Sequence, residues 1–575
     1  MEEKLLFYDI EVFAQDNFAV FMDENKDVVK VFHNDYSGCM DLIKGRKLIG
    51  YNNHYYDDRI LPKMMGGQTP VQIKELNDKI IGGDREIGRN TMLKGTYDCF
   101  QQIDVSFPSL KKIEGNRGKM ILESDVPFDL DRELTEKEIE EVIFYCTYDV
   151  KNTVDIFGMR EFNYFKTKQH LIDMVQDPPK TIEDWNTTTI AANVLLDKPL
   201  TKWSDIRLGE YQADGEYELL NLVPTEVKEL WLTKNKGSFT IQDFGCDVTF
   251  GFGGLHGSHR TIHKFKDVVL WDVTSMYPHI ILLLNVLVGA SDKYKQILED
   301  RIVLKKTNPD LAGAYKLVLN SVYGNLRNKY SLLNNPEAAK SVCLYGQIAL
   351  YTLCKMLAPY ATLVNINTDG IGFIPNTDMK TLDTIKDEWQ KRFNLSLEQD
   401  SFDLFIQKDV NNYIGWKDTD NDGKPVKGSG HLKVKGPDVG CYQSDANFRT
   451  NSTRIVDIAV VNKLLYSEDV IDTLTDNLNK PYLYQYILQA GNTFKGTFDE
   501  TGNQYQKINR VFATKQNGIK LYKKRQDNGM VKFPDAPEEM FIWNDDTSKL
   551  KNFPAVVDLN FYYQLINKIL ERWEV

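Results

Sequence analysis

The 575-residue sequence has no CxxC pair: its seven cysteines, at 39, 99, 146, 246, 343, 354 and 441, are scattered. That scatter excludes a zinc ribbon and a disulfide framework, and it fits a reducing cytoplasm. A long apolar run is also lacking. The longest, Ile280 to Ala290, is interrupted by Asn285 and falls far short of the roughly 20 residues that cross a bilayer, so no membrane partner is expected. The opening MEEKLLFYDIE has no basic region with an apolar stretch behind it, and no signal peptide is read there. Internal repeats and low-complexity tracts are absent too. Apolar residues make up 42% of the chain and aromatics 11%, which excludes global disorder, and the length implies several domains.

Net charge is −12, which taken alone argues mildly against nucleic acid as a partner. The sign is unevenly spread. From Arg301 to Lys329 six cations stand against one acid, Asp310, and from Lys507 to Lys532 eight stand against Asp527. Basic patches on an acidic body suit a protein that grips a phosphate backbone in one place and stays soluble elsewhere. Solvated loop charge explains the second patch equally well.

Strand-like runs open the chain at Leu5–Tyr8, Asn17–Phe21 and Leu48–Tyr51. A helix is predicted over Thr135–Phe157, with Thr135 as N-cap and Glu138 three residues on. Asp177-Pro178-Pro179-Lys180 marks a boundary. A second strand-first unit starts at Val268-Val269-Leu270-Trp271, followed by helices over 292–306 and 309–323 and a hairpin around 363–374. The last third is polar, with short strand-like runs and a final helix over Leu559–Trp573.

Asp272-Val273-Thr274-Ser275-Met276-Tyr277-Pro278 sets a carboxylate at the end of an apolar strand. There it can hold a divalent cation, and the turn that follows exposes amides of the kind that cradle phosphate. Alone, such an Asp is more often a helix cap. Asn308-Pro309-Asp310 is a good helix start. On that helix Lys316, Asn320 and Tyr323 share a face, and Gly324 is expected to end it. Arg301 and Lys305 lie one turn apart on the preceding helix, so a tight turn would aim three cations into one space, as a triphosphate requires. A solvated basic helix pair is the bland alternative, but it leaves Asn320 and Tyr323 on that stripe without a reason. Asn367-Thr368-Asp369-Gly370, between two apolar runs, reads as a hairpin with Asp369 at its tip. Asp272 and Asp369 could then share two divalent ions roughly 3.5–4 Å apart for an in-line phosphoryl transfer.

Upstream, Asp9-Ile10-Glu11 puts two carboxylates on one face of a strand. Such a pair occurs by chance in most long proteins, and its weight comes from its company. Asn53-His54-Tyr55-Tyr56-Asp57 supplies a third carboxylate, and Tyr145-Cys146-Thr147-Tyr148-Asp149 a fourth, with Tyr145 one helical turn before it.

These segments resemble the motifs of family B DNA polymerases carrying a DEDD-type 3′→5′ exonuclease. Asp272–Pro278 is similar to DxxSLYP, Lys316–Gly324 to KxxxNSxYG, Asn365–Asp369 to the YxDTD hairpin, and Arg301 with Lys305 to the fingers RxxxK. Asn412-Tyr413 and Lys433-Val434-Lys435-Gly436 resemble, weakly, the primer-gripping KxY and KxKG elements. Phe252-Gly253-Gly254 resembles YxGG, with Gly251 at the Tyr position. The upstream segments are similar to DxE, NxxxFD and YxxxD, in the family's order. The hairpin departs from the pattern at Asn365 and Asn367, which puts ion preference and rate in question while Asp369, the main ligand of the pair, remains.

The resemblance implies a template-directed DNA polymerase that adds dNTPs to primer–template DNA and proofreads it. Asp272, Val273 and Asp369 would hold one pair of Mg2+ ions, and Asp9, Glu11, Asp57 and Asp149 a second pair, with Mn2+ able to substitute. Tyr145 would orient the attacking water. Arg301, Lys305, Lys316, Asn320, Tyr323, Tyr277 and Ser275 would bind the nucleotide, Tyr277 stacking under its sugar and excluding a 2′-OH. Asn53, Tyr56, Ser109 and Leu110 would hold the frayed strand, and Gly253, Gly254, Tyr413, Lys433 and Lys435 the DNA. His256, His259 and His263 lack an accompanying carboxylate or cysteine and are read as a loop touching DNA rather than a zinc site.

The expected architecture is α+β / α/β multidomain: an RNase H-like exonuclease domain over 1–185, a connecting region over 186–265, and a right-hand polymerase. Its palm would come from 266–291 and 332–440, its fingers from 292–331, and its thumb and C-terminal region from 441–575. The resemblance also implies a phage origin, with replication in host cytoplasm and a helicase, clamp or single-strand-binding protein as further partners. From Asp272 to Lys316, and from Tyr323 to Asn367, there is no room for the full-size insertions of protein-primed members. Two rivals stay open: an exonuclease whose polymerase half has decayed to a DNA-binding module, and a non-catalytic clamp or scaffold.

Overall fold

Leu6, Tyr8, Ile10 and Val12 enter one buried cluster while Phe7 and Leu5 enter another, so the strand they form, β1 (Lys4–Val12), is covered on both faces. Alternation then sends Asp9 and Glu11 to the same side as Phe7. The structure is a computed structural model that describes residues 4–209, 212–213, 216–234, 236–418, 431–442, 453–534 and 536–573. It is mixed α/β with several sheets and divides into two compact units, Met1–Ile190 with Asn479–Asp558, and Ala191–Ala446 with Ser452–Leu478 and Leu559–Val575.

In the first unit β1 lies between β2 (Asn17–Met22), antiparallel, and β4 (Arg46–Gly50), parallel; β3 (Val28–His33) and β5 (Tyr97–Asp98) complete a five-stranded sheet in the order β3-β2-β1-β4-β5. Helix α1 (Asp57–Met65) follows β4, and α2 (Leu110–Asn116) follows β5. The long α3 (Glu136–Arg160) opens on the predicted capping box, Thr135 and Glu138. It lays Cys146, Val150, Ile156 and Phe157 against Phe7, Val20 and Ile49.

The C-terminal part of this unit contributes a sheet of Tyr486–Gln489, Ile508–Ala513 and Met540–Ile542. Buried Arg510 joins it to α2. Its Nη2 donates to the carbonyls of Gly115 (3.2 Å) and Lys119, its Nη1 to Asp545 (2.6 Å) and Trp543 (3.2 Å), and its Nε to Gln485 Oε1 (2.7 Å). In the basic run 507–532, then, Arg510 is structural, while Lys515 pairs with Asp558 (3.3 Å) and Lys532 with Glu538 (3.9 Å).

The second unit is built on a nine-stranded sheet. Its strands are β6 (Ser238–Asp243), β7 (Cys246–Gly251), β8 (Gly254–His259), β9 (Lys264–Val273), β10 (Ala361–Asn367), β11 (Gly370–Pro375), β12 (Leu397–Asp409), β13 (Asn412–Trp416) and β14 (Leu432–Lys435), ordered β14-β13-β12-β9-β11-β10-β8-β7-β6. Four helices follow β9 in sequence or precede β10: α4 (Met276–Leu283), α5 (Ser291–Thr307), α6 (Pro309–Arg327) and α7 (Pro336–Leu357). Asn308 caps α6, its Oδ1 accepting from Leu311 N at 3.2 Å. The helix does not end at Gly324. Asn325 and Leu326 beyond it are buried, and that packing carries the turn on to Arg327. The histidine run is corrected in part: His256 and His259 lie on strand β8, paired with β7 and β10, while His263 lies in the loop between β8 and β9. Among the described residues no helix is long and apolar enough to cross a membrane.

Candidate active sites

In the first unit Asp9, Glu11 and Cys146 offer ligand atoms within 4.8 Å of one another. The Cys146 thiol donates to Asp9 O at 3.6 Å and meets its Oδ2 at 3.9 Å. Asp57, the first residue of α1, is 4% exposed, and its Oδ1 is buried with no hydrogen-bond partner. An orphaned buried carboxylate oxygen is costly unless a cation meets it. Asp149, on α3, is held by the Lys111 ammonium of α2, which also lies 3.7 Å from Glu114 Oε1 and 4.5 Å from the centre of the Tyr145 ring.

The electrostatics agree. Burial, with the charge of Asp149 added, pushes Asp9 up to about 7. Burial followed by Asp9 raises both Glu11 and Asp57 well above the usual carboxylate range. Burial raises Asp149 too, against the pull of Lys111, and raises the Tyr145 phenol. Carboxylates that resist ionising together form a place where divalent cations would be strongly held.

The expected strand-holding residues are placed differently from one another. Asn53 is fully buried, its Nδ2 donating to Asp58 Oδ2 (3.0 Å) and Thr96 Oγ1 (3.2 Å). Tyr56 donates to Asn77 Oδ1 at 2.5 Å and feels the charge of Asp57, Glu11 and Asp9. Ser109 stands at the N-cap of α2 with its Oγ unpartnered, and Leu110 packs against the cluster that holds Phe7.

In the second unit Asp272 pairs across the sheet with Gly370 on one side and Glu398 on the other. A side chain at Gly370 would collide with the Asp272 carboxylate, so glycine there keeps the space free. The hairpin tip closes on the same strand end: Val273 N donates to Asp369 O at 2.7 Å, and Thr368, at φ 55°, donates its N–H to Leu255 O at 2.8 Å. Burial raises Asp272 to about 6, opposed by Lys433 and reinforced by Asp369, Asp400 and Glu398. Burial raises Asp369 against Lys433 and Lys435. Burial raises Tyr413 as well, with Asp272 and Asp369 adding to it.

Asn367 donates to Val410 O and accepts from Lys435 Nζ, both at 3.3 Å. Asn365 is core, donating to Gln407 Oε1 at 2.9 Å. The Tyr277 and Tyr323 rings lie 4.5 Å apart, and Tyr323 donates to Phe252 O at 3.3 Å. Ser275 takes a left-handed turn, φ 46°, into α4. Thr368 crowds the place a side chain would take at Gly254, whose φ is 131°, while Gly253 faces open space. Arg301 is half-buried with its Nε unpartnered; burial lowers it while Glu398 pulls it up. Lys305, Lys316 and Asn320 are exposed.

Lys111, Glu114 and Cys146 in one site, and Glu398 and Asp400 in the other, escaped the sequence reading. Glu398 and Asp400 carried a usable signal, the same one-residue spacing on a strand as Asp9 and Glu11. Nothing in sequence marks Lys111 as buried.

Compared with protein-family models and with curated proteins, the chain matches none. Among solved structures it is similar to the family B DNA polymerase from the hyperthermophilic archaeon Pyrobaculum calidifontis, with a TM-score of 0.41 and 13% identity, over 96% of this chain and 77% of that one.

Proposed function

We propose that the chain is a template-directed DNA polymerase of phage type that adds dNTPs to a primer 3′-OH, with a 3′→5′ proofreading exonuclease on the same chain. The observation that carries the reading is the meeting of the β9 end with the β10–β11 tip, which brings Asp272 and Asp369 into one electrostatic site with Gly370 left bare beside them. The exonuclease reading is supported by the convergence of Asp9 and Glu11 and by the orphaned Asp57 Oδ1. Both donor sets are hard oxygen ligands suited to Mg2+, with Mn2+ as a substitute. Asp272, Val273 and Asp369 would hold two ions, and Asp9, Glu11, Asp57 and Asp149 two more. When bound, such ions neutralise the charge that develops in phosphoryl transfer.

The protein's own residues do the rest. Arg301, Lys305 and Lys316 bind the triphosphate, and Asn320 and Ser275 orient it. Tyr277 and Tyr323 form the platform for sugar and base. Gly253, Gly254, Tyr413, Lys433 and Lys435 grip the primer–template. In the exonuclease Tyr145 orients the water, and Asn53, Tyr56, Ser109 and Leu110 hold the single strand, Asn53 by fixing the Asp57–Asp58 turn from within. The domains are assigned as exonuclease 1–185, connecting region 186–265, palm 266–291 and 332–440, fingers 292–331, and thumb with C-terminal region 441–575. Cytoplasmic replication with a helicase, clamp or single-strand-binding protein, and extension of an ordinary nucleic-acid primer, belong to the same reading.

A primer-extension assay tests it. The wild-type chain should extend a primer in a template-dependent way. Asp272→Ala or Asp369→Ala should abolish incorporation and spare single-strand degradation, and Asp9→Ala with Glu11→Ala should do the reverse. Degradation without any extension in the wild type would favour the rival suggested by Asn367, an exonuclease with a decayed polymerase half.

A further inference from the structure

Helix α7 is almost wholly buried and apolar, yet it carries an amide, Gln347, at 2% exposure beside Cys343 at 1%. Gln347 clamps Gly251 at two points: Nε2 donates to Gly251 O at 2.9 Å, and Oε1 accepts from Gly251 N at 3.1 Å. The same Nε2 meets Cys343 Sγ at 3.2 Å, and that thiol lies 3.7 Å from Gly251 O. Tyr277 donates to Cys343 Sγ at 3.9 Å, and Tyr323 reaches the same sulfur. Next in the chain, the Phe252 carbonyl accepts from Tyr323 (3.3 Å) and Arg327 (3.2 Å). Gly346 lets the helix come this close, since a side chain there would lie 3.0 Å from Met276. A buried amide in an apolar helix is stable only with its bonds made, so this network has one low-energy arrangement.

We propose that Gln347 and Cys343 are positioning residues that lock the Tyr277–Tyr323 platform to the Gly251–Gly254 segment, so that sugar discrimination depends on them although neither touches the nucleotide. The inference rests on the polymerase reading. A platform that binds the sugar in the ground state acts on KM rather than kcat.

The experiment is single-nucleotide primer extension by the full chain, with dNTP and rNTP, for the wild type, Gln347→Met, Cys343→Ala and Cys343→Ser. Gln347→Met and Cys343→Ala should each raise the KM for dNTP roughly tenfold, the effect of one lost buried hydrogen bond. They should leave kcat within about twofold and narrow dNTP-over-rNTP discrimination by a comparable factor. Cys343→Ser, which keeps an acceptor facing Gln347 Nε2, 3.2 Å from the present sulfur, should stay near wild type. Resistance of peptides from α7 to pulse proteolysis reports that the second unit of each variant is folded; if Gln347→Met is not, the Cys343 pair decides. Unchanged KM and discrimination in Cys343→Ala, or a fall in kcat alone, would overturn the inference and leave the polymerase reading standing. A wild-type chain that extends no primer would remove both.

Discussion

Freed of divalent ions, the first unit should lose stability as pH rises, and Asp9 sets the scale. Its carboxyl moves from the ordinary 3.8 to about 7, first by burial and then by the charge of Asp149. Below about pH 4 the group is protonated in both folded and unfolded chains and contributes no difference. Between 4 and 7 the folded protein keeps a proton that the unfolded chain has released. Above 7 the folded chain carries a buried anion, and the stability present at low pH has been lost. At about 1.4 kcal/mol per tenfold, the step from 3.8 to about 7 is worth at most about 4 kcal/mol. Because Glu11, Asp57 and Asp149 titrate with it, a single substitution should recover about 2–4 kcal/mol. Asp9→Asn mimics the neutral form. Its stability advantage over wild type should be near zero at pH 4, grow through the window, and level off above 7. The assay is guanidinium chloride unfolding with a chelator present, read by mass-resolved pulse proteolysis of peptides from β1 and α3. Saturating Mg2+ at pH 8 should stabilise wild type and not Asp9→Asn. An advantage that is flat across pH would refute the idea that these carboxylates form a strained, cation-seeking cluster.

Asn367→Asp should leave primer extension active and shift its Mg2+/Mn2+ preference, because the new carboxylate can pair with Lys435 Nζ, 3.3 Å from the present amide oxygen; a dead but folded variant would count against the reading of the hairpin. Arg510→Met takes this donor from the carbonyls of Lys119, Asp545 and Trp543, while Gly115 O keeps Gln485 Nε2 at 2.8 Å, so the first unit should lose about 3 kcal/mol in denaturant unfolding and exonuclease activity should fall while extension persists. Equal loss of both activities would contradict it. On a nicked duplex without accessory proteins the chain should stall, while it copies a primed single-stranded circle; multi-kilobase displacement from the nick would disprove the inference drawn from the short intervals after Asp272 and Tyr323.

How much of this was legible in the sequence follows from the range of the forces involved. Local signals were read well: the Thr135–Glu138 capping box, the Asn308 cap and the strand carrying Asp9 and Glu11 all depend on residues a few positions apart. The end of α6 was misread because Gly324 is a local stop signal, and burial of Asn325 and Leu326 overrides it from a distance. His256 and His259 were read as loop, yet both lie within β8, where Gly257 between them passes close to β7. Least legible were the supporting groups. Lys111 meets Asp149 across 38 residues, Gln347 meets Gly251 across 96, and Arg510 meets Gly115 across 395. A buried lysine, glutamine or arginine has the same letters as an exposed one, and only the fold tells them apart. The carboxylates could be proposed from sequence because their chemistry demands a pattern; Lys111 beside Asp149, and Gln347 and Cys343 beside Gly251 and Tyr277, are set by packing alone, and only the fold brings them into view.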